Sequence, residues 1–118
     1  MNEREALINE IWENRTLLED KTSKQLIQEI ISELDRGILR IAEPAGNEWK
    51  INEWIKKAVI LYFPIQNMEL WSAGPMEFYD KIPLKKGYDQ LGVRVVPHAI
   101  ARYGSYVAKG VILMPSFV

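Results

Sequence analysis

The chain has 118 residues, 15 Lys and Arg against 16 Asp and Glu, and a formal net charge of -1. That balance argues against a nucleic-acid binder held by bulk electrostatics, although it leaves room for a local patch. With no Cys and a single histidine, His98, the chain is without disulfides, thiolate nucleophiles, Cys-based zinc sites and, within one chain, a multi-His metal site.

The start, MNEREALINE, is charged and has no signal-peptide apolar stretch, and no apolar run reaches membrane-spanning length. These features predict a cytoplasmic protein with neither a membrane nor a nucleic-acid partner. Leu7, Ile8, Ile11 and Trp12 recur on one face of a first amphipathic helix. Thr22 and Gln25 have capping-box spacing ahead of a second helix, whose stripe is Leu26, Ile27, Ile30, Ile31 and Leu34. Gly37 is placed to end it in a left-handed conformation. A β-hairpin is expected across 38–51, broken at Pro44–Asn47. Asn52 would then cap a third helix bearing Trp54, Ile55, Ala58, Val59 and Tyr62 on one face, with Pro64 opposing its continuation. Lys56 and Lys57 lie off that face and read as solvated surface. Residues 64–92 read as irregular backbone, with one short strand around Met68–Trp71. Within them Trp71, Met76, Phe78 and Tyr79 are candidate anchors for a partner protein, for which a place in the core is the simpler reading.

The tail repeats in sixes. Ile100, Tyr106, Ile112 and Val118 form one column, Ala101, Val107 and Leu113 a second, and Gly104, Gly110 and Ser116 a third. Hexapeptide periodicity is the signature of a parallel β-helix, with one inward apolar residue and one small residue per side. Two edge strands joined by a turn would also satisfy these residues. Residues 100–118 amount to about one coil, and one coil cannot cover its own edges. The expected fold is therefore α+β. A helical N-terminal domain with a hairpin spans 1–98, and the start of a parallel β-helix, truncated, spans 99–118.

Several segments taken together resemble the N-terminal part of 2,3,4,5-tetrahydropyridine-2,6-dicarboxylate N-succinyltransferases. They are GILRIAE at 37–43, the Trp49 of NEWK, WIKKAVIL at 54–61, FYDKIP at 78–83, VRVVP at 93–97 and ARYGSYVAKGVILMPSFV at 101–118. Order and approximate spacing match across 37–118, whereas the first 36 residues match as helical pattern alone. The resemblance implies a homotrimeric acyltransferase of diaminopimelate and lysine biosynthesis, moving succinyl from succinyl-CoA, a co-substrate rather than a bound cofactor, to the substrate's amino group. It implies active sites between subunits and a dicarboxylate-binding role for the N-terminal domain. Arg94 matches a substrate-binding arginine of the family, and its guanidinium suits bidentate recognition of a carboxylate. Lys81 and Lys85 are weaker candidates for the same anion. Asp80 is expected to pair with a nearby cation, and Arg102 to face a neighbouring subunit.

The chain departs from the family pattern at His98, where a second proline is usual, and at KKGYDQLG, which replaces a longer connection. Both bear on the roles of Lys85 and Tyr88. The family's acidic catalytic position and CoA-binding coils fall beyond Val118, so no catalytic residue and no metal ligand is assigned here. The expectation is that these 118 residues alone are inactive. The competing reading is a stand-alone, non-catalytic module that binds a partner protein or a dicarboxylate.

Overall fold

A computed structural model describes residues 2–118. The element order is α1 (Glu3–Glu13), a 3-10 turn (Arg15–Glu19), α2 (Lys21–Asp35), β1 (Ala42–Ala45), β2 (Glu48–Ile51), α3 (Glu53–Ile65), β3 (Glu69–Ala73), β4 (Met76–Asp80), α4 (Tyr88–Leu91), β5 (Arg94–Val95) and β6 (Ile112–Leu113). The strands form three separate two-stranded sheets, and the molecule measures 42 × 42 × 20 Å.

The helices make the core. Ile8 and Ile11 of α1, Ile27, Ile30, Ile31 and Leu34 of α2, and Trp54, Ile55, Ala58, Leu61 and Tyr62 of α3 are buried in one cluster. The predicted stripes account for most of it. Leu61 joins α3's face unforeseen, and Leu7 turns outward. Asn2 caps α1 by accepting the Glu5 N–H at 2.7 Å. The expected capping box does not form. The preceding 3-10 turn delivers the chain to Asp20, so α2 opens at Lys21 and Thr22 already lies inside it. At its far end α2 closes as expected. Gly37 takes φ +76°, the Gly37 N–H donates to the Leu34 carbonyl, and the Ile38 N–H donates to that of Glu33. This is the paired bonding of a Schellman cap.

The first hairpin turns at Gly46–Asn47, and Pro44 sits within β1 opposite Trp49. Asn52 precedes α3 without capping it. Its amide instead donates to the Arg40 carbonyl and to Glu43, tying the hairpin to the helix start. Pro64 lies in the last turn of α3, which runs one residue beyond it. Lys56 is exposed; Lys57 reaches Asn9 at 2.9 Å and lies over the Trp12 ring.

Residues 69–80 correct the expectation of irregular backbone. They form a full antiparallel hairpin with Ala73 opposite Met76 and the turn at Gly74–Pro75, where Gly74 has φ +61°. Trp71 and Phe78 are paired on one face and stack at 4.6 Å. Leu70 and Tyr79 pair on the other and are exposed. The four aromatic and Met anchors are therefore split between faces, and Met76 and Tyr79 are outside the core.

In the tail, β5 pairs with β6 in parallel: Arg94 lies opposite Ile112, eighteen positions later, and Val95 opposite Leu113. Eighteen is three sixes. A second parallel contact joins Ile100 to Phe117, with N–H···O bonds from Ile100 to Ser116, from Val118 to Ile100 and from Arg102 to Val118. Val95, Ala101, Val107 and Leu113 are buried or half-buried, whereas Arg94, Tyr106, Ile112 and Val118 point to the surface. Gly104 and Gly110 turn the chain at φ +102° and +90°. The two glycines of the small-residue column thus mark corners that need positive φ, whereas Ser116 does not.

Candidate anion-binding site

The three predicted basic residues are not brought into one pocket. Each sits in a different environment, set by the element that carries it.

Arg94 opens β5. Its backbone N–H donates to the Val111 carbonyl at 3.0 Å, and the alternation of the strand turns Val95 inward and Arg94 outward. Its side chain is exposed and makes no ion pair among the described residues. A guanidinium held on paired backbone with its donors free can take a carboxylate in a bidentate contact. Farther along the same outward column Tyr106 rests one side of its ring on the α2–β1 connection and is otherwise exposed. Arg40 stacks over its ring at 4.7 Å, and a Cβ built on Gly37 would lie 2.6 Å from it.

Lys81 follows β4. Its ammonium donates at 3.0 Å to the Phe63 carbonyl in the last turn of α3, which also accepts the Gln66 N–H. It lines a cleft of about 510 Å³ between α2, the end of α3 and the second hairpin, together with Gln28, Asn67, Trp71, Asp80 and Lys86. An anion taken by Lys81 in that cleft would meet no residue of β5, since none lines it.

Lys85 is an interior residue. Its side chain is 3% exposed, and its ammonium donates to Asp35 Oδ1 at 2.8 Å and to the Asp35 carbonyl at 3.0 Å. The same Oδ1 accepts the Gly104 N–H at 2.8 Å. Removing one partner from a buried pair leaves an uncompensated charge and costs about 3–5 kcal/mol. Asp35 is the residue that sequence reasoning missed. A signal was available: a carboxylate at the last position of a helix faces the negative end of the macrodipole, and so needs a cation nearby.

Asp80 pairs with Arg102 at 3.1 Å, as its sequence context implies. The Lys81 backbone N–H, and then the Arg102 guanidinium, hold its carboxyl below the usual 3.8. Arg102 is also within cation–π range of Phe63 and Phe117. Beside it lies an apolar groove of about 240 Å³, lined by Ile31, Tyr62, Phe63, Tyr103 and Val118. Burial, with Tyr103 second, raises the Tyr62 phenol above 10.0, so it stays a neutral donor at physiological pH. Tyr88 lies in the one-turn helix α4, and its carbonyl accepts the Val93 N–H. No group of three His, Asp or Glu among the described residues is arranged to hold a metal ion. No helix there is long and apolar enough to cross a membrane.

Residues 3–65, more than half of the chain, match the family described as tetrahydrodipicolinate N-succinyltransferase N-terminal. A protein of Cupriavidus metallidurans, named 2,3,4,5-tetrahydropyridine-2,6-dicarboxylate N-succinyltransferase, is 46% identical over 125 residues, covering 97% of this chain and 46% of the relative. Proteins of the same name from Legionella pneumophila strain Corby and Azoarcus sp. strain BH72 are 45% and 41% identical over 128 residues, covering the whole of this chain. The chain spans about half the length of these relatives. It belongs to the tetrahydrodipicolinate N-succinyltransferase N-terminal family.

Proposed function

We propose that this chain supplies the substrate-binding, N-terminal part of an N-succinyltransferase acting on tetrahydropyridine-2,6-dicarboxylate in diaminopimelate and lysine biosynthesis. The carrying observation is the similarity, over 97–100% of the chain, to proteins bearing that enzyme's name. In the reaction, the amino group of the opened substrate attacks the thioester carbonyl of succinyl-CoA. The C–N bond forms, the C–S bond breaks, and the CoA thiol leaves with the proton the amine loses. The chain's part in this is binding. Arg94 takes one substrate carboxylate, and its fixed strand position orients the amine. Lys81 is a second, more distant anion contact. No side chain here is assigned the role of base.

The eighteen-residue parallel offset supports reading the tail as one coil of a parallel β-helix, left-handed as the family resemblance implies. A cytoplasmic homotrimer, with active sites between subunits, completes the proposal, and these 118 residues alone are expected to be inactive. Titration calorimetry with pimelate, a dicarboxylate of suitable length, tests the binding role. Wild type should give heat and Arg94→Ala should give none. A silent wild type would overturn the assignment of a dicarboxylate site to this chain.

A further inference from the structure

We infer that the Asp35–Lys85 pair is the joint that orients the strand bearing Arg94, so that both residues govern ligand binding without touching the ligand. This rests on the role proposed for Arg94. Lys85 then acts through Asp35 as a positioning residue, not as an anion contact.

Three pieces of chain meet at one carboxylate. The first is the end of α2, which contributes Asp35 and its free carbonyl. The second is the segment 83–85. Its backbone runs against 101–103, with the Lys85 N–H donating to Ala101 and the Tyr103 N–H to Pro83, both at 2.9 Å. The third is the corner at Gly104, whose N–H donates to the same Oδ1 that takes the Lys85 ammonium. Gly104 adopts φ +102°, and a Cβ built on it would lie 3.5 Å from Ile31 of α2. The corner is therefore pressed against the helix that presents Asp35.

From that corner the chain is continuous with the site. Residues 100–102 bond to 116–118, and 94–96 bond to 111–113, all within one ring. Val95 and Ala101 share the inward column, so the tilt of one strand sets the tilt of the other. An apolar pair would fill the same space, but it would supply neither the charged acceptor for Gly104 nor the two-point hold on the helix end. Because those contacts are directional, the orientation is specified as well as the burial.

Hydrogen exchange and pimelate calorimetry on Lys85→Met, Asp35→Asn and the double variant test the joint. In Lys85→Met the Tyr103, Gly104, Arg94 and Val96 amides should exchange on the order of a hundredfold faster. The Ile30 and Leu61 amides in the helices should keep their protection, and pimelate should bind at least about tenfold more weakly. Arg94→Ala should abolish pimelate binding and leave exchange unchanged. If a single variant unfolds, the double variant decides, since it removes both charges and keeps an acceptor for Gly104. Weakened binding in a folded double variant upholds the joint. Binding equal to wild type overturns it, reducing the pair to charge compensation. Uniformly raised exchange across helices and coil in Lys85→Met also overturns it. If wild type takes up no pimelate, the Arg94 role and the positioning claim fall together, while the exchange pattern still shows whether the coil hangs on this pair.

Discussion

The helical layer and the coil after residue 93 are held by different means. In the layer, three helices close on side chains with almost no solvent exposure, such as Ile8, Ile27, Ile30 and Leu61. In the coil, one inward column is covered while Tyr106, Ile112, Met114, Phe117 and Val118 remain exposed. The coil is fastened by backbone bonds, by the Gly104 N–H donating to Asp35, itself paired with Lys85, and by the Arg102–Asp80 ion pair. Apolar burial is non-directional and makes the layer stable. Hydrogen bonds and charges are directional and hold the coil in one orientation on that layer. The two regions should accordingly fail in different ways.

The largest difference should come from matched truncations. Ile30→Ala removes a fully buried branched side chain from the helical cluster and should cost about 3–4 kcal/mol in urea unfolding. Val107→Ala, in the inward column of the coil, should cost about 1–2 kcal/mol and raise exchange locally. Equal losses for the two would dissolve the distinction. A middle-sized effect is expected where the regions touch. Gly37→Ala forces a side chain into φ +76° and against the Tyr106 ring, whereas Gly46→Ala meets a similar φ in open space. Thermal melts should show about 2 kcal/mol lost in the first and about 1 kcal/mol in the second. A reversed order would mean that Tyr106 does not rest on the α2 cap.

The smallest effect is electrostatic. Asp80 is held below its ordinary carboxylate value of 3.8, chiefly by the Lys81 N–H and then by Arg102. A carboxylate whose folded pKa is depressed contributes stability above its unfolded value, and that contribution is lost as pH falls through the folded one. The tie between hairpin and coil should therefore be intact at pH 5 and weaken below about pH 4. Asp80→Asn should flatten that part of the acid dependence of the Arg102 amide's protection. An unaltered acid profile would remove Asp80 from the tie.

The layer was legible because its signal is repetitive. Every third or fourth residue in 26–34 and 54–62 is apolar, and Gly37 has one use at a helix end. The period of six in the tail was visible for the same reason, and the parallel pairing of Arg94 with Ile112 falls three sixes apart. Non-repetitive features were harder. The second hairpin was hidden because Gly74 and Pro75 were read as part of an irregular stretch when they are its turn, and because Trp71 and Phe78 alternate with Leu70 and Tyr79 across faces of similar hydrophobicity. Lys85 read as a candidate anion contact because its partner, Asp35, lies fifty positions away. Arg94 was singled out only through family resemblance, since an exposed arginine on a two-residue strand carries no local mark.

The eighteen-residue return also constrains where the chain can change length. The turn at Tyr88–Leu91 lies outside the ring, so residues can be added there without altering which side chains face inward. Between Val96 and Val111 the count is fixed. Deleting one residue, for example Lys109, would bring Met114 opposite Val95 and exchange the covered column for the exposed one. Length variation should therefore be tolerated before β5 and rejected after it, which a scan of single insertions read by β5 amide protection would display. The spacing of the ring acts as a ruler, and the position of Arg94 depends on residues it never meets.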